Sequence, residues 1–106
     1  MRGGWTYVMT NRARGVLYVG VTADLVARVL QHRTGTGSAF CRRYRLQRLV
    51  LAEWHDEIED AIRREKLLKT WQRAWKIELV EAANPGWRDL FDETKCNSGS
   101  VRDGGN

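Results

Sequence analysis

The chain reads as an α+β domain: a three-stranded sheet, made of a β-hairpin and a third strand, with helices packed against it in the order β-β-α-β-α-α. Three observations predict this. Two β-branched and aromatic runs stand close together near the start, a third covers residues 49–54, and the long helical periodicities follow it. Strands therefore precede most of the helical mass, which favours a small α+β layer over a series of βαβ units.

The first strand is Trp5-Thr6-Tyr7-Val8-Met9, with the breaker pair Gly3-Gly4 before it and Asn11 just after it. Residues 11–15 form a polar, turn-like link. Val16-Leu17-Tyr18-Val19-Gly20 is the second strand, so the two make a hairpin with a longer loop. Gly20 is expected to serve conformation, where the chain turns into a helix. That helix covers about 24–33, and Thr22-Ala23-Asp24 offers its N-cap and an acid in the first turn. A Gly/Thr/Ser loop (34–38) and a basic stretch (42–48) lead to the third strand, 49–54. Helical periodicity begins near Glu57, with Glu57, Glu59 and Asp60 where the macrodipole favours acids. It breaks near Thr70 and resumes through Ala83, where Asn84-Pro85-Gly86 stops it. Residues 94–106 have almost nothing to bury and read as a flexible tail, leaving 1–93 as one domain.

Length and composition agree. The 106 residues suit one domain, and 42% hydrophobic with 29% charged residues suits a globular protein with a modest core. No apolar run approaches the roughly 18 residues a membrane helix needs. The first residues lack the apolar segment of a secretory signal. Cys41 and Cys96 form neither a disulfide framework nor a metal knuckle, so free thiols in a reducing cytoplasm are expected.

Charge is distributed unevenly. Residues 1–50 carry nine arginines (2, 12, 14, 28, 33, 42, 43, 45 and 48) and one acid, Asp24, a balance of +8. Residues 51–106 carry nine Lys/Arg against twelve Asp/Glu, a balance of −3. Arginine grips phosphate bidentately, so this asymmetry suggests a nucleic-acid partner.

Several positions break the expected pattern. On the helix after the third strand, Ile58, Ala61, Ile62 and Leu68 fall on one face at 100° per residue, and Glu65 lies in the middle of it. A carboxylate there needs a cation or several donors. Periodicity leaves two readings open: an i,i+4 pair with Lys69, or a metal or substrate site. Arg28 and His32, also i,i+4, flank the stripe Leu25, Val26, Val29 and Leu30; they fit a solvated face, or a phosphate held over the sheet. His32 and Arg33 near the helix end also suit dipole compensation. Tyr7 and Tyr18 on neighbouring strands are either a stabilising cross-strand pair or part of a phosphate-facing pocket. Trp54, Trp71 and Trp75 are expected in core or helix packing, without need of a base-stacking role.

Taken in order, these residues resemble the GIY-YIG nucleases. Thr6-Tyr7 and Tyr18-Val19-Gly20 are similar to that family's two-part signature, although the first part lacks its glycine and isoleucine. The stretch from Gly20 through Leu25 to Arg28 and His32 resembles the family's first helix with its catalytic arginine. Residues 61–66 resemble the helix that supplies its metal-binding glutamate, and 84–90 the ending of its small stand-alone members, which are similar to the nuclease portion of an excision-repair endonuclease.

The resemblance, spanning roughly 5–92, implies a metal-dependent endonuclease acting on DNA or RNA. It implies one Mg²⁺ or Mn²⁺ on Glu65, an arginine (Arg28) on the scissile phosphate, and a tyrosine as general base. Tyr7 is favoured as base with Tyr18 orienting it or the water, though either remains open; His32 joins this catalytic set. A lone carboxylate suits a single hydrated Mg²⁺ better than a two-metal clamp. Arg42, Arg43, Arg45 and Arg48 are the candidates for flanking phosphates, with Lys69 beside the site. Such contacts position a strand without reading its sequence, so specificity is expected to be low, with targeting left to a protein partner. The competing reading is a nucleic-acid-binding module with the same fold and no catalysis.

Overall fold

The computed structural model describes residues 3–91. The expected tail, 94–106, and Cys96 lie outside the described residues. The elements are β1 (Gly4–Thr10), β2 (Leu17–Thr22), α1 (Leu25–Thr34), α2 (Ala39–Tyr44), β3 (Arg48–His55), α3 (Ile58–Thr70) and α4 (Arg73–Ala83). The strands form one antiparallel sheet in the order β2-β1-β3, so the first strand of the chain becomes the central one.

A central strand has neighbours on both edges and helices on both faces, and β1 is accordingly buried at every position but Trp5. Its side chains alternate. Tyr7 and Met9 join Leu25, Val29, Cys41, Leu46, Leu49 and Phe91 under α1 and α2. Val8, on the other face, joins Val19, Val50, Leu51, Leu68, Val80 and Trp87 under α3 and α4. Each such residue, fully buried, contributes roughly 1.5–3 kcal/mol. A β-bulge shifts the β1–β3 register between Val8 and Met9, leaving Val50 without a partner on β1. Val50 and Leu51 consequently share the second cluster.

The α1 helix starts as its sequence predicts, with Asp24 as N-cap accepting from the Ala27 N–H at 3.1 Å. Its buried face is Leu25, Val29 and His32, not the predicted Leu25, Val26, Val29 and Leu30; Leu30 is largely exposed. The helix ends at Gly35, whose φ of 84° is the left-handed cap that glycine adopts without strain.

Within the stretch between Thr34 and Arg48, α2 forms an additional short helix. Six residues are too few to show a periodicity. Its one local signal is Ser38, whose hydroxyl accepts from the N–H groups of Phe40 and Cys41 at 3.1 and 3.4 Å.

Two polar side chains tie the segment after α4 to the sheet. The bulged Val50 gives its carbonyl to Asn84 Nδ2 (3.1 Å), which also donates to the Arg88 carbonyl (2.8 Å), while Asn84 Oδ1 accepts from the Arg88 N–H (3.0 Å). Asp89 accepts from Arg33 (2.7 Å) and from the Leu49 N–H (3.1 Å). Asn84→Ala should therefore cost about 1–3 kcal/mol, because it strands the buried Val50 carbonyl and loses two part-buried bonds to Arg88. Urea denaturation measures this, and a loss under about 0.5 kcal/mol would show that water replaces the amide.

Candidate active site

Tyr7 lies opposite Gly20 in the hairpin register. A Cβ at Gly20 would stand 2.5 Å from both Cζ and Oη of Tyr7 and 2.9 Å from Cε2 of Tyr18. The glycine is thus required by the phenol lying over it, not by a turn into the helix as the sequence suggests. Gly20 is inside β2, two residues short of its end.

From the other side, α1 presents His32. The three-residue step from Val29 to His32 aims the imidazole down at the sheet, where Nε2 meets Tyr7 Oη at 2.9 Å. His32 is buried, so the solvated-face reading does not hold for it. The neighbouring Arg28 guanidinium, half-buried, offers only donors to the phenol, so the phenolic hydrogen must go to Nε2. That assignment places the ring hydrogen on Nδ1, which is buried and has no partner. Gly37 covers that nitrogen closely: a Cβ there would lie 2.9 Å from it.

Burial pushes the Tyr7 phenol up to about 12, against a weaker pull from Arg28. Burial also holds His32 down at about 4, with the Arg28 charge adding to the effect. The inner pair is therefore neutral at pH 7, as a desolvated site demands. Burial likewise pushes the Cys41 thiol up to about 11, leaving it a packing residue.

Tyr18, partly buried, completes the ring cluster, 6.3 Å from Tyr7 and 5.5 Å from His32 between centroids. Across its ring lies the Lys69 ammonium, 5.9 Å from the centroid. Lys69 Nζ in turn meets Glu65 Oε2 at 2.5 Å. Glu65 retains only 13% side-chain exposure on the α3 face that also buries Ala61 and Leu68, so its place in the apolar stripe holds and the i,i+4 pair forms. The predicted set of Tyr7, Tyr18, Arg28, His32 and Glu65, with Lys69, is thus one contiguous chain of contacts.

The basic stretch divides. Arg42, Arg43 and Arg45 are exposed on α2 and its cap. Arg42 and Arg45 line an open cleft of about 420 Å³ with His32, Arg33 and Gln47. Arg48 instead donates to the Trp87 carbonyl at 3.0 Å, tying β3 to the C-terminal segment, and does not join them. The tryptophans also depart from expectation: Trp54 and Trp75 are half exposed, Trp54 against Trp5 and Trp75 edge-on to Trp71. Sequence reasoning missed Gly37 and Phe40, since neither the closeness of Gly37 to Nδ1 nor the stacking of Phe40 on Tyr18 leaves a periodic trace.

Fold and cluster together define a small α+β domain that brings two tyrosines, a histidine, an arginine and a carboxylate into one chain of contacts. Residues 3–78 match the family model described as the GIY-YIG catalytic domain. The chain belongs to this family of nuclease domains. It is similar to proteins named UPF0213 in three staphylococci. The identity is 33% over 66 residues in Staphylococcus saprophyticus, covering 62% of this chain and 80% of the relative. It is 33% in Staphylococcus epidermidis and 34% in Staphylococcus aureus, each over 67 residues, covering 63% of this chain and 82% of the relative. No solved structure matches the chain significantly.

Two outcomes follow from this geometry. Gly20→Ala should cost about 1–3 kcal/mol, since its methyl displaces a phenol that has no other place to lie. A melt indistinguishable from that of the parent chain would mean Tyr7 swings away freely. The second concerns acid. A histidine held below its unfolded value stays neutral in the native state while the unfolded chain takes up a proton. Stability is then full above about pH 6.5 and declines as pH falls towards 4, with about 2 kcal/mol lost between pH 7 and pH 5. Urea titrations at the two pH values should show that loss, and it should largely vanish in His32→Gln.

Proposed function

We propose that this chain is a metal-dependent endonuclease that hydrolyses phosphodiester bonds in DNA with little intrinsic sequence specificity. The observation that carries the reading is the single contiguous cluster in which a buried phenol, an arginine and a lone carboxylate meet at the sheet.

The donor set fits a hard divalent cation. Among the described residues no three His, Cys, Asp or Glu side chains gather, which disfavours a zinc-type cage. A single carboxylate suits Mg²⁺ or Mn²⁺, which keep most of their waters. Glu65 would hold the cation, displacing Lys69. When bound, the metal supplies Lewis-acid polarisation of the phosphate and charge for the leaving oxygen.

The chain's own residues supply the rest. A phenol pushed up to about 12 does not ionise by itself near neutrality. Positive charge from Arg28 and Lys69 favours its ionised form, and Tyr7 Oη, held 2.9 Å from His32 Nε2, then takes the water proton. His32 stays neutral, as its burial and the neighbouring Arg28 demand, and serves to hold the phenol in place. Arg28, beside both phenols, offers two parallel donors to the non-bridging oxygens. Tyr18 orients the water, and Lys69 adds positive charge at the same edge. Arg42, Arg43 and Arg45 grip flanking phosphates and position the strand without reading bases.

A second reading has a specific observation in its favour. Glu65 is already neutralised by Lys69 and Tyr7 is held protonated, as in a module that binds nucleic acid and cleaves nothing. Nicking of supercoiled plasmid with and without Mg²⁺ and Mn²⁺ separates the two. Under the nuclease reading, Glu65→Gln should abolish the metal-dependent activity. Arg28→Lys should lower single-turnover cleavage about 10²–10³-fold with little change in melting, because an ammonium cannot reproduce the guanidinium fork. Cleavage by both variants within threefold of the parent chain would overturn the assignment.

A further inference from the structure

The ring cluster at the site continues outwards onto α2. Tyr18 stacks on Phe40 with centroids 6.2 Å apart and planes 29° from parallel. Phe40 meets Tyr44 at 4.9 Å, and the Arg43 guanidinium covers the Tyr44 ring at 5.4 Å. Phe40 is 44% exposed and Tyr44 39%. The helix docks on the core through Cys41, so neither exposed ring is needed to hold it down.

The surroundings state what chemistry this surface suits. From residue 25 to residue 52 the chain has no Asp or Glu, while Arg28, Arg33, Arg42, Arg43, Arg45 and Arg48 all fall within it. Exposed aromatics carried on a segment whose charged residues are all arginines are complementary to a polyanion that carries flat apolar faces. Nucleic acid has both, but a closed duplex hides the faces of its bases within the stack; only an unpaired base can lie on a side-chain ring. A second aromatic pair, Trp71 and Trp75, lines a hollow of about 600 Å³ whose charged lining residue is the acidic Glu78.

We propose that Phe40 and Tyr44 form a stacking platform for unpaired bases next to the scissile phosphate, so that the chain prefers DNA with a single-stranded segment over closed duplex. The platform rests on the nucleic-acid reading of the adjoining site. It adds a determinant of substrate structure that acts through base faces, whereas Arg42 and Arg45 act through phosphates.

The test is binding in EDTA, which removes cleavage from the measurement. Anisotropy compares a short labelled single strand of DNA with the same sequence closed into a duplex. The intact chain should favour the single strand. Tyr44→Ala and Phe40→Leu, the latter apolar but without a π face, should each lower the ratio of single-strand to duplex affinity about tenfold. Phe40→Trp should keep it. A 2-aminopurine base in the strand should be quenched by the intact chain and less so by Tyr44→Ala, a signature of stacking that altered charge does not give. If Phe40→Leu melts early, Tyr44→Ala carries the test, since the ring contacts of Tyr44 are with Phe40 and Arg43.

Equal affinity of the intact chain for the two forms would overturn the platform, as would a Tyr44→Ala ratio within twofold of it. Platform behaviour without Mg²⁺-dependent cleavage would support the platform and remove only the nuclease reading. Cleavage of both forms at equal rates with Tyr44→Ala unchanged would remove only the platform.

Discussion

A phenol placed in the middle of the sheet is the constraint on which the rest of this structure depends. Tyr7 can be fully buried only on a strand with neighbours on both edges, which makes β1 central. Its ring needs room over the adjacent strand, which only a glycine at position 20 leaves. Its hydroxyl needs an acceptor away from water, which fixes how α1 must sit so that His32 faces inward. Strand order, the glycine of the second motif and the rotation of the first helix are three answers to one demand for burial and one hydrogen bond.

The electrostatics follow the same geometry. Where water is excluded, the groups are kept neutral: a protonated tyrosine and an uncharged imidazole. Charges stand where water still reaches, with Arg28 half-buried and Lys69 exposed beside Glu65. Such a cluster is held together with little internal repulsion, and the strong fields come from its rim. The cations of the rim are therefore the outermost charged groups, and the neutral Tyr7–His32 pair lies behind them.

Much of this was legible in the sequence, for reasons that differ by residue. Runs of β-branched and aromatic residues mark strands directly, and Glu65 stood out because a carboxylate in an apolar stripe contradicts the periodicity around it. His32 was harder to place. At i+7 from Leu25 it belongs to the buried stripe, but a histidine reads as polar, so the stripe seemed to run to Leu30 instead. The reason for Gly20 was invisible because the obstacle to a side chain is a ring on another strand. Six residues of α2 gave no period, and with them went the exposed aromatics that only three dimensions bring against Tyr18. Half exposure of Trp54 and Trp75 follows from pairing with Trp5 and Trp71, which shields one face of each and leaves the other open.

The segment after α4 does more than end a helix. Leu90 donates its backbone N–H to the Leu49 carbonyl at 2.7 Å, while Asp89 takes the Leu49 N–H. Both bonds fall on the outer side of β3, the side turned away from β1. A three-stranded sheet exposes two edges, and an edge rich in Leu and Val invites pairing with another molecule. Here a few residues of irregular chain fill those positions at Leu49 as a false fourth strand, held by an arginine from α1 and too short to recruit a further partner. The same contacts that anchor the segment after α4 thus cover part of one sheet edge, where the backbone groups of Leu49 would otherwise be open to pairing.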